Sequence, residues 1–491
     1  MTVRELLAEV EIVAVTGALE ATVGNLRLDS RCVEPGDVFF ALPGVQADGA
    51  RFAFAAITAG AVAVVGPVGL RVSGATAVEV AEPRLALAQA ASRLHGSPSR
   101  AMKVVAVTGT NGKTTTTFLI ESILAAAALT SGVIGTTGIR IAGETRTSAF
   151  TTPEAPELQA LLAEMRARGV QAVAMEASSH ALVQRRTWGL SSDVTVFTNL
   201  TQDHLDYHGT MARYLDAKLM LFDGRNGASG KATVAVINAD DPAAAAVIEA
   251  AHRGGQRVVR FGESPSAELR IVSVVAHASG LTVQLNESGT ERQLRLPLLG
   301  CYNAWNAAGA YAAARALGVE ASVALQGLEH SAGIPGRLES VGGTQPFQVV
   351  VDYAHTPDAL ERALGACREH APGRVLCVFG CGGDRDRTKR PRMGLLAATG
   401  ADRAWVTNDN PRSEDPAAIA AEIVAGSLPG TLTVILNRRE AIAAALAEAK
   451  SGDIVLIAGK GHETTQTVGT QVLPFDDREV AHAWLRAGGH A

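Results

Sequence analysis

Short apolar runs punctuate the chain, and polar or helix-like stretches separate them. In the first hundred residues the runs are Asp37-Val-Phe-Phe-Ala41 and Ala61-Val-Ala-Val-Val65. Next come Lys103-Val-Val-Ala-Val107, Ala172-Val-Ala-Met175, Val194-Thr-Val-Phe197 and Val234-Ala-Val-Ile237. A last group comprises Phe347-Gln-Val-Val-Val-Asp352, Val375-Leu-Cys-Val-Phe379, Ala404-Trp-Val-Thr407 and Asp453-Ile-Val-Leu-Ile457. Strands alternating with helices predict βαβ units and largely parallel sheets. Gly96-Ser-Pro-Ser-Arg100, a linker-like tract, and Ser331-Ala-Gly-Ile-Pro-Gly-Arg337, where Gly and Pro cluster, read as boundaries. The expectation is therefore an α/β chain of three domains. Residues 1–100 form a small mixed α/β domain, 101–335 a central parallel-sheet domain of phosphate-loop type, and 336–491 a second doubly wound, Rossmann-like domain. The opening Met1–Val10 reads as an amphipathic helix with no signal-peptide pattern.

A length of 491 residues with 47% hydrophobic and 19% charged content suits about two to four packed domains. Only 4% is aromatic, so the cores are aliphatic. A net charge of −5 leaves no basic footprint for nucleic acid. The longest apolar stretch, around residues 59–70, is broken by Gly60, Gly66 and Pro67 and is too short to span a bilayer. Five scattered cysteines (32, 301, 367, 377 and 381) complete no zinc spacing and read as reduced thiols. These features predict a cytoplasmic protein without membrane insertion.

The sharpest string is Val107-Thr-Gly-Thr-Asn-Gly-Lys-Thr-Thr-Thr116, set between a strand and the helix-like Phe118–Leu124. That is the setting of a phosphate-binding loop. Gly109 and Gly112 let backbone approach an anion, and the helix N-terminus offers free N–H groups. Lys113 can reach the outer phosphates, while Thr114 or Thr115 can hold Mg²⁺. The loop is a short Gly-x-x-Gly-Lys-Thr form, not the longer Walker consensus. It resembles the ATP loop of the Mur ligases and folylpolyglutamate synthetases, which activate a carboxylate as an acyl phosphate to form an amide. Motifs along nearly the whole chain are similar to the Mur branch that adds the third residue of the peptidoglycan peptide.

The resemblance implies a set of site residues. Gly109, Thr110, Asn111, Gly112, Lys113, Thr114 and Thr115 would hold ATP, together with Asn303, Arg337 and Asp352. Glu176 and Ser178 follow the run 172–175 and so stand at a carboxyl strand edge, where open α/β sheets bind ligands. Glu176 and His204 would complete metal coordination. From the residues alone, His204 is equally a loop histidine bonded to backbone, and Lys218 in Tyr214–Phe222 is a cation that snorkels to the surface. The resemblance implies instead that Lys218 is carbamylated (N6-carboxylysine) and binds a second Mg²⁺. Such chemistry needs a neutral amine, and therefore burial.

Leu28, Ser30, Val45, Gln46 and Ala47 match the family's uridine-nucleotide surface, although by themselves they are polar turns. Thr151, Thr152, Ser178, Gln184 and Arg186 match the muramoyl-dipeptide arm, with Phe150 where a relative has Asn. Gly382-Gly-Asp-Arg-Asp386, Asp409-Asn-Pro-Arg412 and Gly459-Lys-Gly-His-Glu463 would form the incoming amino acid's pocket. There Arg385 and Arg412 suit carboxylates, Asp409 and Glu463 suit ammonium groups, and Asn410, Pro411 and Gly459 shape the site. Lys389 and Arg390 read as a solvated basic pair. The implied activity is ATP- and Mg²⁺-dependent joining of meso-diaminopimelate to UDP-N-acetylmuramoyl-L-alanyl-D-glutamate by a monomer. Two alternatives stay open: a folylpolyglutamate synthetase sharing the loop, and a nucleotide-switch protein without an amino-acid pocket.

Overall fold

The computed structural model describes residues 1–44, 48–227 and 229–488. It separates into two compact units, Met1–Arg270 with Ala308–Gly327, and Ile271–Ala307 with Leu328–Ala491.

The first unit carries two sheets. A five-stranded sheet runs in the order Ile12–Thr16, Thr76–Val80, Ala63–Pro67, Val38–Phe40, Leu26–Arg27, with only the first pairing antiparallel. Val38, Phe40, Val65 and Val78 form its inner face against the helix Pro83–Leu94. The central sheet places Lys103–Thr108 between Ala172–Glu176 and Val194–Phe197, parallel to both. Glu176 lies opposite Val107, and Phe197 opposite Thr108. All three chains therefore leave the sheet at one carboxyl edge. Val234–Asn238 and Arg257–Gly262 extend one side, and Ser131–Gly135 with an antiparallel flap extends the other. The 103–108 strand leads into one neighbour only after the chain has visited the far side, which makes its end a switch point where ligands bind.

The second unit's main sheet runs Glu339–Val341, Gln348–Asp352, Ile454–Ala458, Val375–Phe379, Arg403–Val406, Leu432–Val434, and is parallel after the first pairing. Helices cover both faces: Leu360, Leu364 and Met393 pack on one, Ile442, Leu446 and Leu485 on the other. An appended hairpin pairs Thr465–Val468 with Gln471–Pro474.

The strands match the apolar runs closely, but three local expectations fail. The N-terminal helix is one turn, Val3–Leu6, capped by Thr2. Residues 96–100 are no loose linker: Pro98–Ala101 is a 3₁₀ turn with Pro98 and Ser99 buried. The Ser99 hydroxyl accepts from Ser191 N at 3.0 Å, which fixes the turn to the central sheet's base. Lastly, Arg390 is not solvated; its side chain is fully buried. All five cysteines are free. Among the described residues, no helix is long and apolar enough to cross a membrane.

Candidate functional site

The phosphate loop is locked before any ligand arrives. Gly109 has φ +148°, and a Cβ there would collide with the Thr198 hydroxyl, so only glycine fits. Thr110 N donates to Asn199 O at 2.8 Å, and Asn111 N donates to Asn199 Oδ1 at 2.9 Å. Thr198 Oγ1 donates to Asn111 O at 2.6 Å. The strand beside the loop thus supplies its cradle. Gly112 (φ +84°) turns the chain into the helix Lys113–Ala126. Lys113 Nζ folds back onto Gly109 O (2.9 Å) and Thr110 O (2.7 Å).

Two clusters flank the loop. On one side Thr114 Oγ1 donates to Glu176 Oε1 at 3.0 Å, and Thr136 N donates to the same oxygen at 2.8 Å. Thr136 Oγ1 bonds Glu176 Oε2 (3.2 Å) and Thr151 Oγ1 (3.1 Å). Thr152 Oγ1 donates to Glu176 O at 2.8 Å and meets Ser178 Oγ at 3.4 Å. Arg186 donates to Thr152 O (2.9 Å) and to Gln184 Oε1, pairs with Glu154 at 2.9 Å, and lies 4.6 Å from the Phe150 ring centroid. Thr151, Thr152, Ser178, Gln184 and Arg186 thus converge, and Phe150 presents its π-face to the Arg186 guanidinium.

On the other side Lys218 is buried, at 1% exposure, and does not snorkel. Its Nζ donates to Gly109 O at 2.7 Å and lies 4.3 Å from the Tyr214 ring centroid. Burial, reinforced by the nearby charge of Lys113, pushes its pKa well below the usual lysine value. Two lysine amines therefore share one carbonyl oxygen, Gly109 O. Tyr214 OH meets Thr110 Oγ1 at 3.2 Å, and its ring stands 6.0 Å from that of His204. His204 adopts a left-handed conformation (φ +52°). Burial lowers its pKa, with Lys113 and Lys218 adding to the effect against Asp203. His180, desolvated and close to His204 and His208, falls to about 4. Sequence reasoning missed Thr136, which lies in no recognisable string, and gave no role to Tyr214 at the head of the Lys218 segment.

In the second unit, the carboxyl ends of Gln348–Asp352, Ile454–Ala458, Val375–Phe379 and Arg403–Val406 converge. Asp409 is buried, and desolvation raises its pKa against the pull of Arg438 and Lys460. Gly459 (φ +119°) passes so close that a Cβ would meet Asp409 Oδ2 at 2.5 Å. Lys460 is fully buried and donates to Thr465 O (2.6 Å), Glu463 Oε2 (3.1 Å) and Asn410 Oδ1 (3.4 Å). Asn410 Nδ2 donates to Glu463 Oε2 at 3.0 Å. Arg412 (φ +52°) donates from Nη1 to Gly383 O at 2.7 Å, and the hairpin holds its backbone through Thr467 O (3.1 Å) and Gly469 N (2.7 Å). Pro411 is buried beside them, while Arg385 stands exposed. Arg390, expected in solvent, forks onto Glu414 and also reaches Glu422. That contact holds the Glu414 carboxyl down at about 2.

Asn303 is buried and donates to Leu299 O at 2.7 Å. Asp352 accepts from Leu338 N at 2.8 Å, and burial raises its pKa despite Arg337. Arg337 stacks 5.4 Å from the Tyr353 ring centroid, and its buried Nε has no hydrogen-bond partner. His462 Nδ1, beside the same ring, is likewise unpartnered. Such orphaned donors fit a polar ligand. Leu28 is half-buried, and Ser30 opens the 3₁₀ turn Ser30–Cys32, capped by Asp29. Val45, Gln46 and Ala47 lie outside the described residues.

The sheet orders and the glycine-rich loop define the class, a multidomain α/β protein of the phosphate-loop type. Residues 22–95 match the Mur ligase family catalytic domain, 107–314 the Mur ligase middle domain, and 336–461 the Mur ligase glutamate ligase domain. The chain is 42% identical over 490 residues to the UDP-N-acetylmuramoyl-L-alanyl-D-glutamate–2,6-diaminopimelate ligase of Syntrophomonas wolfei, covering 99% of both. It is 43% identical to the ligase of that name from Geobacillus thermodenitrificans, covering 94% of both. A solved structure of a ligase with that name superposes with a TM-score of 0.74 at 34% identity over all of both chains. Folylpolyglutamate synthase from Mycobacterium tuberculosis, solved with ADP and AMPPCP, shares the fold at 21% identity and TM-score 0.61, over 76% of this chain and 92% of its own. The chain belongs to the Mur ligase family.

Proposed function

We propose that the chain is an ATP-dependent amide ligase acting in the cytoplasm as a monomer. It would join meso-diaminopimelate to UDP-N-acetylmuramoyl-L-alanyl-D-glutamate and release ADP and phosphate. The observation that carries the reading is the amino-acid pocket of the second unit. Buried Asp409, Asn410 and Lys460 form one ionic cluster with the part-exposed Glu463, with Arg412 half-buried nearby and Arg385 exposed on the neighbouring loop. A nucleotide switch needs no such array of cations and acids.

The first unit's residues fit ATP and Mg²⁺. Thr114 and Glu176 present hard oxygens 3.0 Å apart at a strand edge, the donor type that Mg²⁺ prefers. Bound there, the ion would neutralise charge on the transferring γ-phosphoryl group. Gly112–Thr115 offer backbone N–H groups at the helix start, and Lys113 exchanges its two carbonyl contacts for phosphate oxygens. Lys218, as a carbamate, turns a cation into an oxygen-bearing anion beside His204. Its buried, neutral-favouring amine is the form that adds CO₂. Arg186, Gln184, Thr151, Thr152 and Ser178 position the D-glutamyl arm so that its carboxylate receives the phosphoryl group. Leu28, Ser30 and residues 45–47 would hold the uridine end. Asn303, Arg337 and Asp352 would contribute to nucleotide binding. The diaminopimelate amine, oriented by Asp409 and Glu463 with Arg385 and Arg412 on its carboxylates, then attacks the acyl phosphate.

Purified enzyme with ATP, the UDP-dipeptide and one diamino acid at a time should release phosphate only with diaminopimelate, giving a product heavier by that residue. Release without either co-substrate would support the switch, and a requirement for folate plus glutamate would support the synthetase.

A further inference from the structure

We propose that Arg390 is a positioning residue that sets selectivity for the diamino acid by clamping together the two loops carrying Arg385 and Arg412. The inference rests on the ligase reading above and adds a determinant outside the pocket wall.

Arg390 sits in the first turn of the helix Lys389–Gly400, with a fully buried side chain. Its Nη1 donates to Glu414 Oε2 (2.9 Å) and Glu422 Oε2 (2.8 Å); its Nη2 donates to Glu414 Oε1 (2.8 Å) and Gly382 O (3.2 Å). One guanidinium therefore touches the loop of Gly382 and the loop of Glu414 at once. Glu414 Oε1 also accepts from Asp384 N at 2.6 Å. Asp384 Oδ1 accepts from Ser413 Oγ (2.6 Å), and its Oδ2 from Ser413 N (3.2 Å). Gly383 completes the seam, donating from N to Asn410 O (2.9 Å) and accepting at O from Arg412 Nη1 (2.7 Å).

Asp384 and Arg412 are both left-handed non-glycine residues, at φ +53° and +52°. Such residues persist only where surrounding contacts over-determine them. These contacts end at Arg390, which bonds both loops and is rooted in a helix. Arg385 follows Asp384 directly, so the conformation that Arg390 enforces also aims Arg385. A planar fork is needed: a lysine ammonium is a compact point charge and cannot span both Glu414 oxygens, Glu422 and Gly382 O together.

The test compares wild type, Arg390→Lys and Ser413→Ala in the full chain, with phosphate release measured against meso-diaminopimelate and L-lysine. Arg390→Lys should raise KM for diaminopimelate on the order of tenfold, since small misplacements of binding groups are costly. It should narrow the diaminopimelate-to-lysine ratio by a similar factor, leaving KM for ATP and the UDP-dipeptide unchanged. Ser413→Ala removes one exposed link without disturbing the core, and should move the same two quantities a few-fold. A purely structural Arg390 would lower Tm and the active fraction while leaving KM and the ratio intact, and that result overturns the proposal. If Arg390→Lys fails to fold, Ser413→Ala decides: an unchanged ratio is equally fatal. Failure of wild type to use diaminopimelate at all defeats the ligase reading instead, and is seen before any variant is assayed.

Discussion

Two buried lysines meet opposite fates in the two units. Lys218 donates to a backbone carbonyl, Gly109 O, in a site where Lys113 Nζ already sits on that oxygen. Lys460 donates to the carboxylate of Glu463, in a lattice where Arg390 meets Glu414 and Glu422, and Arg438 meets Asp477 at 2.7 Å. The first site meets both amines with backbone carbonyl oxygens. The second is made of side chains whose charges are matched. Lys113 held on carbonyls suits incoming phosphates, and the desolvated Lys218 amine suits modification. A matched lattice suits recognition, because a ligand must bring its own complementary ends.

The contrast breaks first at Lys113. Lys113→Ala should lower turnover on the order of a thousandfold, as loss of a transition-state donor does. Binding of the UDP-dipeptide, followed by calorimetry, should remain. Equal loss of both would mean a misfolded loop rather than a lost charge.

Lys218 sharpens it next. Lys218→Ala should cost at least about a hundredfold in rate, comparable to losing a metal ligand's support, and small carboxylic acids should restore part of it. Near-normal rates without additive would remove the carbamate from the mechanism. Lys218→Met tests the burial itself. The folded pKa lies below the unfolded one, so between the two values the unfolded chain binds the extra proton and wild-type stability rises with pH. The Met variant should therefore melt higher than wild type at neutral pH. The gap should close as pH approaches the ordinary lysine value near ~10.4.

On the matched side, Arg412→Ala should abolish most of the preference for meso-diaminopimelate over lysine. Breaking one side of a buried pair costs ~3–5 kcal/mol. Arg412 is only half-buried and keeps Gly383 O as a partner, so the low end applies, roughly a hundredfold in relative kcat/KM. Similar kcat/KM for both amino acids in wild type would defeat the specificity claim. The smallest effect belongs to Phe150→Ala. It removes the stacking under Arg186, worth about 0.5–1 kcal/mol, and should raise KM for the UDP-dipeptide by roughly two- to fivefold.

What could be read in the sequence was local. The glycines, Lys113 and Thr114 form one string after one apolar run, so strand, loop and helix follow from neighbours along the chain. The same holds for the strand-end strings around Glu176, Asp409 and Gly459. Burial of a charged side chain was not legible, because it depends on partners far along the chain. Arg390 looked solvated because Glu414 and Glu422, 24 and 32 positions away, carry no local mark. Thr136 closes on Glu176 from 40 positions away for the same reason. Lys218 lies within 3 Å of a carbonyl 109 positions earlier, and helix periodicity could not foresee that. Only the family resemblance pointed inward there.

The hairpin Thr465–Val468/Gln471–Pro474 holds the Asp409–Arg412 segment through backbone and side-chain hydrogen bonds: Gln466 Nε2 donates to Asp409 O at 2.7 Å, Thr467 N to Asn410 Oδ1 at 2.9 Å, and Gly469 N to Arg412 O at 2.7 Å. It works as a length gauge. Adding or deleting one residue in its inner arm would shift every donor to the wrong acceptor and turn each side chain to the opposite face. For directed evolution of amino-acid preference, this divides the hairpin into two kinds of position. The count of residues from Thr465 to Gly469 should be kept fixed in any library, while the exposed Val472 and Leu473 can be randomised freely.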